Sequence, residues 1–316
     1  MQMNVPGEIR IGISGWRYKG WRGDFYPPGL AQRRELEFAS RRFNSIELNG
    51  SFYSLQRPES FARWYDETPT DFIFSVKGPR FVTHMRRLLQ AEAPLANFFA
   101  QGLLRLKEKL GPILWQLPAN FKWDPPRFAS FFSLLPRTHK QAAKLAKGHE
   151  ERLDGRAWFG VRQDRPLRHA IEIRNESFVT EEFTALLREH DIGLVVADTV
   201  EWPLLMDLTS DFVYCRLHGS EQLYASGYDS GAINAWARRV VHWSRGGEAD
   251  DGRKASSSNG SPVKARDVYV YFDNDAKVRA PFDAQELQRR VSSLQLSVSI
   301  NSAHLKARVI PSDRSD

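Results

Sequence analysis

Eight short apolar stretches, each ending in a polar or charged residue, constrain the fold of this chain more than any other feature. They lie at residues 9–15, 45–49, 72–77, 111–117, 170–174, 193–198, 212–218 and 268–274. Helical patterns alternate with them, at 30–42, 58–67, 94–109, 125–135, 180–190, 230–244 and 282–293. Strand–helix alternation is typical of parallel sheets with crossover helices. Eight such repeats predict a TIM-like α/β barrel, with the functional face at the carboxyl ends of the strands.

The predicted barrel is a single domain over residues 8–293. It is interrupted by a basic insertion at 137–169, between the fourth predicted helix and the fifth strand, and by a Gly- and Ser-rich loop at 246–264 that is expected to be flexible. Residues 294–316 form a C-terminal tail without an assignment. Both long connections run from a helix to a strand, so we expect them at the bottom of the barrel, away from the functional face, although a long insertion can fold over an edge.

Charge and composition narrow the class of protein. The net charge is +7, and residues 137–168 hold nine Lys or Arg against four Asp or Glu, so this surplus belongs largely to the insertion. A solvated helical surface and contact with an anionic partner both explain it. Cys215 is the single cysteine, which excludes an intrachain disulfide and fits a reducing compartment. Without a membrane-length apolar run or a leader pattern, we expect a cytoplasmic protein with no membrane partner.

Alternation within the strands predicts an unusually charged barrel interior. The wholly apolar face of each strand must pack on the helices, so the polar face points inward. The interior then holds four carboxylates and four cations: Glu47, Glu172, Asp198, Asp273, Arg10, Lys77, Arg174 and Arg216. Such charges are seldom buried unless they are paired. A structural ion-pair network and a polar substrate pocket both account for the pattern.

Candidate site residues follow from these strand ends and the loops beyond them. The predicted catalytic residues are Glu172, His84, Lys77 and Asp198, with Glu172 and His84 as an acid–base pair. The predicted substrate-binding residues are Arg174, Arg216, His218, Glu47, Asn49, Gln116, Asn274, Trp16, Tyr18 and Tyr228. Arg and Lys suit an anion, and aromatic faces suit a sugar or a base.

Cofactor motifs are not found in the sequence. It contains no P-loop, no G-x-G-x-x-G fingerprint and no nucleophile elbow, so we predict no cofactor. A divalent metal remains an alternative, for which the candidate ligands are Glu47, Glu172, Asp198, Asp273, His218 and His84. The Lys and Arg residues at the neighbouring strand ends would compete with a metal for these carboxylates.

Ordered blocks along the chain resemble the YecE-like proteins, domain-of-unknown-function family seventy-two. The matching blocks are Ile11-Gly12-Ile13-Ser14-Gly15-Trp16, Ile46-Glu47-Leu48-Asn49, Phe74-Ser75-Val76-Lys77, Ile171-Glu172-Ile173-Arg174, Arg216-Leu217-His218-Gly219 and Tyr271-Phe272-Asp273-Asn274. The resemblance covers residues 8–293 and implies a TIM-like barrel but no activity. Two positions depart from the family pattern: Asn175 replaces a common histidine, and Asp273 replaces an asparagine.

Three functional hypotheses follow from the sequence. The first is an enzyme acting on a small anionic, phosphorylated or sugar-like compound at the carboxyl face of the barrel. The second is a nucleic-acid-binding or nucleic-acid-processing barrel that uses the basic insertion. The third is a non-catalytic barrel whose interior charges are structural. The sequence identifies no protein partner.

Overall fold

The computed structural model describes residues 5–219, 223, 226–257, 263–274 and 277–307, with side chains up to residue 297. Eight parallel strands close into a barrel in which each strand pairs with the next and β8 pairs with β1. The strands are β1 Ile9–Ser14, β2 Ser45–Leu48, β3 Ile73–Lys77, β4 Leu110–Gln116, β5 His169–Glu172, β6 Ile192–Asp198, β7 Phe212–Leu217 and β8 Asp267–Phe272. The predicted TIM-like α/β barrel is confirmed.

Helices surround the barrel. In the described residues they are α1 Glu35–Ser40, α2 Gly50–Tyr53, α3 Pro58–Glu67, α4 Glu92–Ala100, α5 Pro125–Leu134, α6 His139–Ala146, α7 Glu181–Glu189, α8 Ser230–Ser244 and α9 Arg279–Ala307. Side-chain caps set several starts: Asp229 accepts from the backbone N–H of Ala232 at 2.7 Å, and Thr180 caps α7 in the same way. Pro58 and Pro125 begin their helices, where a missing N–H costs nothing.

The helix predicted at 94–109 is wrong in its second half. α4 ends at Ala100, and Leu103–Lys109 form a 3₁₀ segment with a kink at Lys107. The break occurs at Gly102, whose φ of 104° and close approach to Pro58 exclude a side chain. Leu103 and Leu106 stay fully buried because residues three apart share a face of a 3₁₀ helix.

Two layers of buried side chains follow from strand alternation. Residues such as Ile13, Ile46 and Val270 pack outward on the helices. A separate inner cluster fills the lower barrel, composed of Leu114, Ala170, Val195, Ala197, Phe212, Tyr214, Tyr269 and Tyr271. Gly12 allows the close approach of β1 and β2, since a Cβ there would lie 1.8 Å from the Ser45 carbonyl oxygen. The polar residues that point inward therefore lie in the upper half of the barrel interior.

The basic insertion wraps around α4 rather than staying at the bottom. Its helix α6 packs on α4, and the Trp158 N–H donates to the Ala100 carbonyl at 2.7 Å. Asn97 of α4 exchanges two hydrogen bonds with Glu150, at 2.7 and 2.9 Å. These contacts carry residues 148–152 up to the loops that follow β2 and β3. The expectation that the whole insertion stays away from the functional face is wrong for this segment.

The second long connection is partly described. Residues 258–262 of the predicted flexible loop lie outside the described residues. Before them, the N–H groups of Ala255 and Ser256 donate to Asp207 at 2.8 and 3.0 Å. At the C-terminus, α9 continues to Ala307 into the segment that the sequence left unassigned, and residues 308–316 lie outside the description. None of the described helices has the length and apolarity needed to cross a membrane.

Candidate active site

Arg216 of β7 occupies the centre of the upper barrel. Its side chain has no exposed surface, and its Nε and Nη2 donate to the two oxygens of Glu47 at 3.0 Å each. Nη1 donates to Glu172 at 2.6 Å, and Nη2 also donates to Asp273 at 2.7 Å. From the layer below, the Tyr214 hydroxyl donates to Glu47 at 2.7 Å. Three carboxylates, on β2, on β5 and directly after β8, therefore surround one guanidinium, which explains how the barrel buries them.

Ser14 and Asn49 complete the enclosure of Glu47. The Ser14 hydroxyl donates to Glu47 at 2.5 Å and accepts from Arg216 at 3.2 Å. The Asn49 amide donates to the same Ser14 oxygen at 2.8 Å. Glu47 has no exposed surface. The structure thus places Glu47 and Arg216, two predicted substrate-binding residues, beneath the wall of the pocket rather than at its surface.

Glu172 is a charged acceptor that other protein groups already use. It is fully buried and accepts from Gln116 Nε2 at 3.0 Å and from Arg174 Nε at 2.7 Å, in addition to Arg216. Burial alone would raise the pKa of Glu172, but Arg216 and Arg174 lower it well below its usual range. An acid held ionised in this way is poorly suited to transfer a proton at neutral pH. The guanidinium of Arg174 lies over the ring of Trp202, 4.0 Å from its centroid.

His218 belongs to the same network. Its Nδ1 lies 3.2 Å from Asp273 Oδ2, and its ring meets the edge of Trp202 with centroids 5.4 Å apart. Burial alone would raise the pKa of Asp273, but Arg216 and His218 lower it strongly. His218 has no exposed surface, whereas the side chain of Asp273 is 15% exposed. Asp273 is therefore the carboxylate of the network that reaches the pocket.

Lys77, at the end of β3, differs from the other interior cations. Only 7% of it is exposed, yet within the described part of the chain its Nζ forms no ion pair and no hydrogen bond. Its nearest aromatic neighbour is the ring of Phe52, 4.4 Å from Nζ. Burial, with the repulsion of Arg216, lowers the pKa of Lys77 to about 8, although the surrounding carboxylates act in the opposite direction. At pH 7 most of the amine is therefore charged, and roughly a tenth of it is neutral.

His84 lies in the loop after β3, beside the same aromatic ring. Its imidazole meets Phe52 edge-on at 5.2 Å, and its Nδ1 lies 2.8 Å from the Thr83 hydroxyl. Burial lowers the pKa of His84 to about 4, and the positive charges around it add to the effect; these belong to Lys77, Arg174, Arg80 and Arg87. The ring is therefore neutral at pH 7 in a strongly electropositive surrounding.

A pocket of about 570 Å³ opens above this network. Among the predicted residues, its lining includes Lys77, Gln116, Asn49, Trp16 and Tyr18, together with Asp273. The other lining residues include Phe52, Tyr53 and Trp64. Trp16 packs edge-on against Trp64 with centroids 5.6 Å apart, and Tyr18 packs against Trp21 at 4.5 Å. A cavity of this size, with aromatic walls and a few convergent polar groups, is typical of small-molecule sites.

Three predicted site residues lie elsewhere. Asp198 is opposite Leu217 in the strand register, on the helix-facing side, and accepts from Trp236 Nε1 of α8 at 3.0 Å. It was expected inside the barrel, but Ala197 occupies the inward position. Asn274 is fully buried and donates to Asp283 of α9 at 2.8 Å.

Tyr228 is buried in the same outer region as Asp198. Its hydroxyl lies 3.1 Å from the Gly219 N–H, which donates to it, and its ring packs edge-on against Phe272. These contacts hold the chain after β7 in place rather than presenting a ring to a ligand.

Several residues of the site were not identified from the sequence. No local sequence pattern marks Trp202, which follows β6. Trp64 occupies an apolar position of α3 that looks like an ordinary core position. The polar end of a strand marks a candidate only if its side chain points inward. Counting alternation back from the inner residues Val195 and Ala197 would have excluded Asp198.

The metal alternative is not supported by the arrangement of side chains. Among the described residues, no group of three or more His, Cys, Asp or Glu side chains is arranged to hold a metal ion. The Arg216 guanidinium occupies the centre of Glu47, Glu172 and Asp273, where a dication would otherwise sit.

The closed eight-stranded barrel, with its polar interior opening at the carboxyl ends of the strands, defines a TIM-type barrel protein. Solved structures agree with this class. A DUF72 family protein from Thermotoga maritima MSB8 matches 90% of this chain and 99% of its own, with a TM-score of 0.67 and 23% identity. Another from Enterococcus faecalis V583 matches 92% of this chain and 99% of its own, with a TM-score of 0.61 and 17% identity.

The family follows from the sequence match. The family described as "Protein of unknown function DUF72" matches residues 10–306, so the chain belongs to the DUF72 family. It is similar to protein YecE of Escherichia coli K12, with 29% identity over 150 residues, 45% of this chain and 52% of the relative. Protein YunF of Bacillus subtilis 168 is 37% identical over 118 residues, 36% of this chain and 41% of the relative. The matched region spans about half the length of these relatives or less, and the predicted YecE-like membership is confirmed.

Proposed function

We propose that this protein is an enzyme that binds a small, hydroxylated anionic compound in the pocket above Lys77. The observation that carries the proposal is the state of Lys77. It is a buried cation that faces a cavity of about 570 Å³ and that no carboxylate of the described chain neutralises directly. Burying a charge without a close partner costs stability, and such a cost is common where a site is prepared for a ligand.

Two other cations of the upper barrel, Arg216 and Arg174, differ from Lys77 in their contacts. The Arg216 guanidinium is surrounded by carboxylates and has no exposed surface. Arg174 donates to Glu172 and packs on Trp202. An incoming anion would therefore find two cations on the pocket lining, the exposed Arg17 and the buried Lys77. Arg174 would add long-range attraction, while Arg216 would act by holding the carboxylates in position.

The rest of the lining suits a compound with hydroxyl groups. Asn49, Gln56 and Gln116 present amides, and Asp273 presents a carboxylate that can accept hydrogen bonds from hydroxyl groups. Trp16 and Tyr18 add aromatic surface, which suits the apolar face of a sugar-like ring. This combination of two cations, one carboxylate, three amides and an aromatic wall favours a phosphorylated or carboxylated sugar.

Lys77 is also the best candidate for proton transfer in this site. With a pKa of about 8 it exchanges a proton readily near neutral pH, which is the property required of a general base or acid. Glu172, proposed from the sequence for this role, is instead held ionised by its donors. His84 is neutral at pH 7 and lies beside the Phe52 ring, but with a pKa of about 4 it is a weak base and is suited to hydrogen bonding rather than to proton transfer.

Ligand binding tests this proposal without knowledge of the reaction. Thermal unfolding of the wild type would be followed with a panel of phosphorylated and carboxylated sugars and their uncharged counterparts. A ligand at 100 times its Kd stabilises the fold by about 2.7 kcal/mol. We expect stabilisation by a charged compound only, weakened about 10–100-fold in Kd by Lys77→Met, the typical effect of losing a charged hydrogen bond.

The control is a second buried lysine outside the pocket. Lys109 is 3% exposed and donates to the Tyr65 and Thr68 carbonyls at 2.6 and 2.9 Å. Lys109→Met should lower stability but leave ligand affinity unchanged. Full affinity in Lys77→Met for every ligand that binds the wild type would contradict the proposal.

A further inference from the structure

A second cavity adjoins the Lys77 pocket. This groove, of about 1080 Å³, lies between the loops after β2 and β3 and the segment of the basic insertion at 148–152. Phe52 and Tyr53 of α2 line both cavities, so a ligand seated on Lys77 can continue into the groove past α2. The groove is therefore an extension of the proposed site rather than a separate surface.

Exposed apolar side chains are concentrated in this groove. Tyr53 is 71% exposed, Met85 is 61% exposed and Phe81 is 36% exposed. Large apolar side chains that face water in one place often mark a binding site. Two of the three are aromatic, and an aromatic side chain offers a flat face on which a planar ring stacks.

The charges in the groove favour an anion with a planar, hydrogen-bonding group. Arg80 is exposed and, within the described residues, has no carboxylate partner. Arg80 lines the groove and Lys77 lines the adjoining pocket, so each cavity has a cation in its wall. On the opposite wall, Glu150 is occupied by Asn97 and Arg152, whereas the neighbouring Glu151 is exposed. A free carboxylate can accept from an exocyclic amino group of a base.

We propose that the pocket and the groove together bind one nucleoside phosphate, with the ribose phosphate above Lys77 and the base in the groove against Tyr53 and Phe81. This inference rests on the proposed function and specifies its substrate class. A sugar phosphate alone would leave the aromatic groove empty. A nucleoside alone would leave Lys77 and Arg80 without an anion.

The test compares AMP, adenosine and ribose 5-phosphate by isothermal titration calorimetry. Stacking of one base contributes enough for AMP to bind about tenfold more tightly than ribose 5-phosphate. In Phe81→Ala, AMP affinity should fall to within about threefold of that of ribose 5-phosphate, whose own affinity stays unchanged. Phe81 lines the groove but not the pocket, and it is 36% exposed, so its removal should not disturb folding. Tyr53→Ala should weaken AMP in the same direction and should also affect ribose 5-phosphate, because Tyr53 lines both cavities.

Leu89→Ala is the matched control. Leu89 is 52% exposed on the same loop as Phe81 but does not line the groove. It should leave the affinity for AMP unchanged, while Lys77→Met should weaken AMP and ribose 5-phosphate alike.

The outcomes separate the two proposals. Equal binding of AMP and ribose 5-phosphate to the wild type, with both lost in Lys77→Met, would overturn the nucleotide assignment and leave the proposed function standing. Equal loss of both ligands in Phe81→Ala would also overturn it, because the aromatic ring would then support the pocket rather than a base. Adenosine binding as tightly as AMP would overturn both proposals, since the anion would play no part. Failure of AMP to bind at all would overturn the nucleotide assignment.

Discussion

Replacing Arg216 with methionine should reveal whether the charges under the pocket are structural. Methionine matches the length of the arginine stem but removes the guanidinium that contacts Glu47, Glu172 and Asp273. These carboxylates would then face one another in a largely enclosed space with fewer positive charges to offset their repulsion. Breaking a buried ion pair by removing one partner typically costs about 3–5 kcal/mol. The loss should lie at or above the top of that range, because one cation here serves three anions.

The measurement is urea unfolding of Arg216→Met beside the wild type at pH 7. The surface pair of Arg253 with Glu176, 3.0 Å apart, provides the control. Arg253→Met should cost no more than about 1 kcal/mol, since exposed pairs contribute little. A loss in Arg216→Met as small as that of the control would refute the view that this guanidinium holds the upper barrel together.

Acid should reduce the difference between Arg216→Met and the wild type. In the wild type the pKa values of Glu172 and Asp273 are lowered, so their stabilising contribution is present above the unfolded-state pKa values of about 4 and is lost as pH falls below them. In the variant, burial without Arg216 raises these pKa values, and protonation relieves the repulsion as pH falls. The free-energy difference should therefore shrink from pH 7 toward pH 4. A difference that stays constant across this range would contradict the electrostatic explanation.

Three further predictions concern single groups around the pocket. The Lys77 amine should react with an amine-directed reagent with a midpoint near pH 8, read by peptide mass spectrometry, and a midpoint above 10 would show that burial does not perturb it. The His84 ring should titrate near pH 4 by NMR, and added phosphate should raise this midpoint. A midpoint near 6.5 without ligand would show that burial and the surrounding positive charges do not lower the pKa of His84. Asp198→Asn should leave ligand affinity unchanged, because Asp198 contacts Trp236 outside the barrel, and a tenfold loss of affinity would place it in the site after all.

The fold was readable from the sequence because its signal is repeated and local. Each strand is short, has an apolar face toward the helices and ends in a polar residue. Because this pattern occurs eight times, few folds other than an eight-stranded barrel fit it. The helix at 94–109 was misread because Gly102 interrupts a periodic apolar pattern that a 3₁₀ segment satisfies equally well. The path of residues 148–152 depends on the contact between Asn97 and Glu150, which are far apart in the sequence.

The site was only partly readable, since residue type and strand position do not define contacts. Lys77, Asn49, Gln116, Trp16 and Tyr18 do line one pocket. The sequence could not distinguish Arg216 from Lys77, because both are cations at inward positions near strand ends. Their roles separate only through distances: Arg216 lies within 3.0 Å of three carboxylates, whereas Lys77 contacts an aromatic ring.

The most direct test of whether Lys77 belongs to the ligand site and Glu172 to the structural network is the free energy of unfolding of Lys77→Met beside that of Glu172→Gln at pH 7. The pKa of Lys77 is lowered from 10.5 to about 8, so burial of its charge costs stability below pH 8, and that cost disappears as pH rises toward 10.5. Lys77→Met should therefore equal or exceed the wild type, by up to about 3 kcal/mol for a shift of this size. Glu172→Gln should lose several kcal/mol, because Arg174 and the Nη1 of Arg216 would both lose the carboxylate that they share. A large loss in both variants would contradict the account and make Lys77 part of the structural network.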